Sequence, residues 1–407
     1  SRTRTTLLVV QATLSVVLVA GAMLLTRSLN RLERQNLGYA VDDRIVVAMN
    51  RPPADYAPER LAALYRQLEE RLKALPGVQG GGLALYNPLT DNWGELVLVA
   101  GHPPPQLSEN AGSSWDRVSA SYLQDLGVAT VRGRGFTPAD NETAAPVAVV
   151  NETFVKRFFR IDEDPIGQYF GLDLPEYAST FRIVGIIRDT KFALFTLRRE
   201  ARPMFFVPMA QTVAYEDDMM RRVEKASHGL GGLMLVSAMP PGQIEPLLTR
   251  AIAEVDPNLT VATVRTLRQQ LALSFNQERA VATLAGVFGV VALLLAAIGL
   301  YGVTAYNVAQ RTNEIGVRMA LGADRRRVMG MVMRGAFARV AVGLVLGVPL
   351  AMGAGKLAAA SLYEVPYYDP AALATAAGSL ALCGFLAAMI PAFRASTVSP
   401  IRALRAE

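Results

Sequence analysis

Residues able to do chemistry are few in this 407-residue chain, and their spacing points away from a reaction centre. His102 and His228 stand far apart with no cysteine nearby, so the three or four converging ligands that hold zinc are not expected. Cys383 is the one cysteine; it excludes an intrachain disulfide and, inside a long apolar run, predicts a small packing residue. No serine occupies the centre of a G-x-S-x-G turn. Gly353-Ala354-Gly355-Lys356 has the end of a phosphate loop without its start: the first glycine of G-x-x-x-x-G-K falls on Leu350, and Leu357 replaces the hydroxyl residue that holds magnesium. Asp162, Glu163 and Asp164 fit a solvated loop better than an acid and base pair. Gly80-Gly81-Gly82 and Gly133-x-Gly135 are expected at tight turns or bulges. The triplets starting at Asn141, Asn151 and Asn258 are glycosylation signals that arise readily by chance. These patterns predict a non-enzyme with no cofactor of its own.

The stretch that suggests an interaction is RTNEIGVRMALGADRRRV, Arg311 to Val328. Thr312 or Asn313 can cap a helix whose first turn holds Glu314, a favourable charge for the helix dipole. Glu314 and Arg318 stand four apart in the better orientation for an ion pair. Val317, Ala320 and Leu321 make one small apolar face and Ile315 with Met319 a second; Gly322 ends the helix and Asp324 can cap the next. Such a helix can lie on anionic lipid, serve as a basic cytoplasmic loop, or dock in a groove on a cytosolic partner.

The elements around it must be membrane spans. With 51% hydrophobic and 19% charged residues, the chain is too apolar for an ordinary soluble domain. Leu7 to Leu25, Ala280 to Gln310, Val340 to Gly355 and Ala371 to Phe393 carry no charge, and about 20 apolar helical residues cross a bilayer. The third is the weakest, with sixteen uncharged residues between Arg339 and Lys356, both of which would have to snorkel. The first run is too long for a signal-peptide core and is followed by Arg27 and Arg31, so an uncleaved anchor is expected. No span holds a charge in its middle, which argues against an ion pathway.

Arginines 311, 318, 325, 326, 327 and 334 place the short loop before the third span in the cytoplasm, and both chain ends with it. Lys356 to Asp369, with three tyrosines, fits the outer interface. The net charge of +6 is thereby explained at membrane edges, and nucleic acid is not an expected partner. Residues 1–26 are then a first span, 27–279 an outer domain with helical stalks around Arg27 to Gln35 and Thr266 to Arg279, and 280–407 a region with spans at about 280–309, 336–355 and 371–393.

The outer domain reads as α+β. Arg44 to Met49 (strand), Pro58 to Leu75 (helix with Leu61, Leu64, Tyr65, Leu68 and Leu72 on one face) and Gly82 to Tyr86 (strand) make one β-α-β unit. Leu233 to Ser237, Gln243 to Val255 and Leu259 to Val264 make another, and together they predict a split, ferredoxin-like sheet. Between them a β-rich subdomain is inserted at about 95–210, with strands at Leu96 to Val99, Trp115 to Ser119, Pro146 to Val150, Phe181 to Ile187 and Met204 to Val207. A short helix is expected at Glu152 to Phe159, and Tyr215 to His228 is expected to be a solvated mobile loop.

RTNEIGVRMALGA resembles the cytoplasmic signature R-x-x-E-I-G-[IV]-R-x-A-[LI]-G-A of the MacB/FtsX/LolE class of ABC-transporter permeases. Its ten fixed positions are Arg311, Glu314, Ile315, Gly316, Val317, Arg318, Ala320, Leu321, Gly322 and Ala323. The ending, Pro391-Ala392-Phe393-Arg394-Ala395 with Ser399-Pro400-Ile401 and Ala403-Leu404-Arg405, is similar to the class terminus. VVNETFVKRFF, DPIGQYF and FRIVGIIRDTK resemble the periplasmic domain of MacB-type proteins. The first span and its continuation resemble most closely the duplicated permeases of the class, of which this chain would be one half. The resemblance implies a bacterial inner-membrane permease in which those ten residues form an ATPase-coupling helix. It implies as partners a cytosolic ABC ATPase, which alone would carry ATP and magnesium, a second permease unit, membrane lipid, and a periplasmic adaptor or hydrolase. The implied mechanism is mechanical: ATP-driven motion passes along the first two spans to the outer domain and supports export of a hydrophobic or peptide-like cargo. The alternatives are a module that regulates a periplasmic hydrolase without transport, and a membrane-tethered enzyme, against which the missing catalytic set counts.

Overall fold

Arg2 to Glu33 form one helix, α1, whose apolar stretch continues without a break into the charged turns at Arg27 and Arg31. The computed structural model describes residues 2–50, 56, 58–105, 111–321, 324–359 and 362–397. It divides into two compact units, Ser1–Arg34 with Phe275–Glu407, and Gln35–Ser274.

The second unit holds all the strands among the described residues. Its elements are β1 (Arg44–Asn50), α2 (Pro58–Lys73), β2 (Gly80–Ala84), β3 (Gly94–Val99), β4 (Gly112–Val118), α3 (Tyr122–Leu126), β5 (Thr130–Gly133) and β6 (Val147–Asn151). They continue with α4 (Glu152–Phe158), β7 (Tyr169–Leu172), β8 (Phe181–Ile187), β9 (Met204–Pro208), α5 (Asp218–Ser227), β10 (Gly232–Val236), α6 (Pro241–Val255), β11 (Thr260–Thr266) and α7 (Leu267–Leu273). The order β11-β1-β10-β2 with all pairs antiparallel is the split β-α-β sheet expected from the sequence. Alternate residues of β1, Ile45, Val47 and Met49, face the apolar stripes of α2 and α6, and Leu68 and Ile244 are fully buried there.

The inserted subdomain is more closed than a β-rich insert need be. β4-β3-β7-β8-β6-β9 pair in sequence, and β9 pairs back to β4 in parallel, so six strands form a ring. Its interior is aromatic: Trp115 stacks on Phe205 at 5.7 Å, and Phe154 from α4 meets Phe170 at 5.1 Å. Asn151 caps α4 by accepting from the Phe154 amide at 2.9 Å and donates to the Arg202 carbonyl at 2.8 Å. Its amide is therefore fully buried and engaged, which removes it as a glycosylation acceptor.

Two expectations for this unit need correction. Gly80-Gly81-Gly82 is not a turn but strand β2, which starts two residues earlier than expected. A Cβ on Gly81 (φ +146°) would lie 2.3 Å from the Met234 carbonyl, and one on Gly82 would lie 2.4 Å from Ser119 Oγ, so the glycines permit close approach of β10 and α3. Tyr215 to His228 is not a mobile loop. Asp217 caps α5, and buried Glu224 of that helix pairs with buried Arg117 of β4. Arg117 Nε also donates to Ser227 Oγ at 2.7 Å and Nη1 to the Gln211 carbonyl at 2.6 Å, while His228 Nε2 lies 3.1 Å from Glu224.

The first unit continues with α8 (Asn276–Gln310), α9 (Thr312–Ala320), α10 (Arg325–Leu357) and α11 (Pro370–Ser396). Four of its helices, Thr6–Glu33, Asn276–Gln310, Arg325–Leu357 and Pro370–Ser396, are long and apolar enough to cross a membrane. The third is helical well before its apolar run: half-buried Arg339 lies inside α10 and donates to its own Gly335 carbonyl at 3.0 Å. The second stalk is not one rod, because α7 stops at Leu273 and α8 begins at Asn276.

Small residues join these helices, as expected where lipid gives no hydrophobic drive for association. Leu8, Ala12, Val16 and Ala20 form the buried stripe of α1. A Cβ added to Gly343 or Gly347 would lie 2.6 Å from Ala12 or 2.9 Å from Val16, so α1 and α10 are parallel and nearly touch. Ser15 Oγ donates to the Ala292 carbonyl at 3.0 Å and Gly299 approaches Leu8, so α8 is antiparallel to α1. Gly384 lies against Val340, and Ala395 packs with Val328, which makes α11 antiparallel to α10. The alternation brings the start of α1 and the end of α11 to the α9 end of the bundle. At the other end Arg27 pairs with Asp369 at 3.4 Å, and Ser28 Oγ accepts from the Tyr363 amide at 2.8 Å. Arg279 of α8 pairs with Glu33 of α1.

Candidate coupling helix

Helix α9 starts where α8 turns at Arg311 (φ −105°, ψ 17°). The expected side-chain caps do not form. Thr312 Oγ1 donates backwards to the Ala309 carbonyl at 2.9 Å, and Asp324 has cap-like backbone angles before α10 without a side-chain hydrogen bond. The Arg311 amide still belongs to α8, bonding the Asn307 and Val308 carbonyls at 3.2 Å each, and the first amides of α9 lie at Thr312, Asn313 and Glu314, which solvent can reach.

The two apolar faces have different fates. Ile315, 1% exposed, is packed with Val328 of α10 and Ala395 of α11, with Val308, Met319, Met331 and Val332 around it. Gly316 is buried beside it. Val317 and Leu321 point away and are 43% and 83% exposed. Beside them Glu314 and Arg318 pair at 2.6 Å, each about half exposed, and Arg318 Nη1 reaches Met331 Sδ at 3.1 Å. A pair this exposed contributes a few tenths of a kcal/mol to the helix. It orders a charged rim around an apolar tip. Of the remaining signature residues, Arg311 is exposed at the junction and Ala320 ends the helix. Gly322 and Ala323 lie outside the described residues, as do Ser399, Pro400, Ile401, Ala403, Leu404 and Arg405.

Arg325, Arg326 and Arg327 are all exposed in the first turn of α10, which holds no acid. The helix dipole disfavours cations there by a few tenths of a kcal/mol each. No side chain in that turn offsets the cost, so the helix itself gives no reason for three arginines there.

Sites that chemistry could use are dispersed. His102 contacts Glu163 at 3.0 Å, whereas His228 belongs to the Arg117 and Glu224 cluster. A cavity of about 390 Å³ in the second unit is lined by Tyr65, Leu83, Phe136, Pro138 and Met209, with Glu69 and Lys73 at 2.7 Å from each other on its wall. This cleft is not legible in the sequence, since its walls come from α2, the segment after β5 and the end of β9.

The MacB-like periplasmic core domain family matches residues 5–267, and the FtsX-like permease C-terminal family matches residues 286–400. The macrolide export ATP-binding/permease protein MacB of Rhodospirillum rubrum is 28% identical over 282 residues, 68% of this chain and 40% of that protein. The uncharacterized ABC transporter permease YvrN of Bacillus subtilis is 25% identical over 304 residues, 71% of this chain and 69% of that protein. Among solved structures, the periplasmic region of MacB from Actinobacillus actinomycetemcomitans covers 60% of this chain and 98% of its own, at 14% identity and a TM-score of 0.38. The chain spans 40% of the length of the MacB relative.

Proposed function

Because the chain belongs to the MacB/FtsX class of ABC-transporter permeases, we propose that it passes ATP-driven motion from a cytosolic ABC ATPase through α9 to its outer domain. The class is one of transporter permeases, not of enzymes. The observation that carries this reading is the division of α9. Ile315 fixes it to α10 and α11 with Gly316 buried beside it, while Val317 and Leu321 stand out beside the charges of Glu314 and Arg318. A short helix held firmly on one face and apolar on the other is suited to a groove in a partner. Force applied to its tip reaches the bundle through the Ile315 seat.

On this reading the membrane is the bacterial inner membrane, the α9 end and both chain ends are cytoplasmic, and the outer domain is periplasmic. A second permease unit would cover part of the α8 surface, where Leu284, Val287, Phe288, Val291 and Leu294 are exposed. The cleft beside Tyr65 and Phe136 is the place in the outer domain suited to an amphipathic export cargo, since its apolar walls carry Glu69 and Lys73.

The test is co-purification of the chain from membranes with candidate ABC ATPases, wild type against Glu314→Arg and Gly316→Trp. Glu314→Arg breaks the pair with Arg318 and reverses the rim charge; Gly316→Trp forces a large ring into a buried position. Both are expected to abolish recovery of the ATPase while the protein stays inserted. Recovery that ignores both changes removes α9 as the contact.

A further inference from the structure

Behind α9 lies a cavity of about 120 Å³ between α8 and α10, lined by Thr304, Asn307, Arg311, Ile315, Gly335 and Arg339 among others. Its polar lining is one-sided. Arg311 and Arg339 are close enough for their charges to act on each other, and no carboxylate among the described residues pairs with either. Thr304 is 2% exposed, and its hydroxyl has no hydrogen-bond partner. Two cations and an orphan buried hydroxyl facing one cavity form a set of donors suited to an anion with several acceptor oxygens. The volume equals the liquid share of roughly four waters, enough for a single phosphate group.

We propose that this cavity binds the phosphate of an anionic lipid headgroup, held by Arg311 and Arg339 and accepting from Thr304. The position in the helix argues for lipid over free phosphate. Arg339 directly precedes the apolar run Val340 to Gly355, whose sixteen residues span about 24 Å. A run shorter than a hydrocarbon core of about 30 Å keeps its flanking cation close to the hydrocarbon boundary, from which the long side chain reaches up to lipid phosphates. Ile315, the buried anchor of α9, forms one wall, so a bound headgroup braces the seat of that helix. The site requires that α8 and α10 lie in a membrane; it does not require the ATPase assignment.

The test uses the full chain in non-ionic detergent, titrated with phosphatidylglycerol, with phosphatidylcholine and with inorganic phosphate, and read by native mass spectrometry as retained lipid. Phosphatidylglycerol is expected to be retained in preference to phosphatidylcholine. Arg311→Gln and Arg339→Gln are each expected to lower that retention about fivefold, the factor for one cation at an anionic surface. Arg250→Gln, on α6 of the outer domain and outside the cavity, is expected to leave it unchanged. Arg311 is exposed, so its variant remains informative if loss of half-buried Arg339 unsettles the bundle. Equal retention of phosphatidylcholine, or no loss in Arg311→Gln, overturns the site. Displacement of the lipid by millimolar inorganic phosphate keeps an anion site and overturns the lipid as its occupant. Lipid retained by a protein that recovers no ATPase would separate this site from the coupling role of α9.

Discussion

Leu321→Asp is expected to reduce recovery of the ATPase by on the order of 100-fold, the loss when an apolar hot spot worth about 3 kcal/mol is replaced. The side chain is 83% exposed and touches no core, so thermal unfolding of the variant should match the wild type. Ile315→Asp has the opposite signature. Ile315 is 1% exposed among Val328 and Ala395, and a carboxylate there has no partner to offset its lost hydration. It should lower both stability and recovery of the ATPase, by several kcal/mol in stability. Measured together, the two variants distinguish the tip of the helix from its seat. Wild-type recovery with Leu321→Asp would show that the outward face is not the contact.

The second large effect belongs to the outer domain. Glu224→Ala leaves the Arg117 guanidinium buried without its counter-ion, which costs about 3 to 5 kcal/mol. Denaturant unfolding of the full chain, followed by the fluorescence of Trp93 and Trp115, reads this domain alone because both tryptophans lie in it. The same cluster sets an acid response. Burial alone would raise the Glu224 carboxyl, but the Arg117 charge, with the His228 hydrogen bond and the Val213 amide, outweighs burial and pulls it down to about 2. Burial and the Arg117 charge also hold the His228 imidazole below its ordinary 6.5, so its contact with Glu224 is a hydrogen bond from a neutral ring rather than an ion pair.

Both groups shift downward, so both signs agree. The unfolded chain takes up a proton first in each case, and folding stability falls as pH falls. The His228 contribution starts to go below pH 6.5, and that of Glu224 is present above 4.5 and lost toward about 2. For Glu224 the full change corresponds to roughly 3 kcal/mol. A Glu224→Gln variant should be less stable at pH 7 and show a flatter profile below pH 4.5. A wild-type profile in that variant would mean that the acid response arises elsewhere.

Local patterns carried the elements whose signal is periodic and long. The stripe on α2, the four apolar helices and the spacing of Glu314 and Arg318 were all legible, because each depends on residues within a few turns of one another. The α5 segment was not. Its charges resemble a solvated surface until Arg117, 107 positions away, is placed beside Glu224. A sign of it was present in β4, where Arg117 follows Trp115 by two residues and so occupies the same face of the strand. The short strands β5 and β7 escaped for a similar reason: with four residues each, they are defined by their partners rather than by their own pattern. For α9 the helical periodicity showed two apolar faces, but three residues on one and two on the other could not say which one meets α10 and α11. The unpaired cations behind it became visible only when α8 and α10 brought Arg311 and Arg339 to one cavity.

The seam between α1 and α10 has one more property. Ala12, Val16 and Leu24 lie against Gly343, Gly347 and Gly355, each pair the same number of positions apart, so the two ladders share a four-residue repeat. Such an interface is commensurate with itself. Advanced along α10 by four residues, about 6 Å, Ala12 would meet Gly347, Val16 would meet Ala351 and Ala20 would meet Gly355, again small against small. Advanced by only two, the Cβ atoms of one ladder would fall off the glycines of the other. Any travel of α1 along this neighbour is thus counted in whole turns, which disulfide trapping from Ala12→Cys to Gly343→Cys or Gly347→Cys can register. A continuous push at one end of the bundle would arrive at the other as a step.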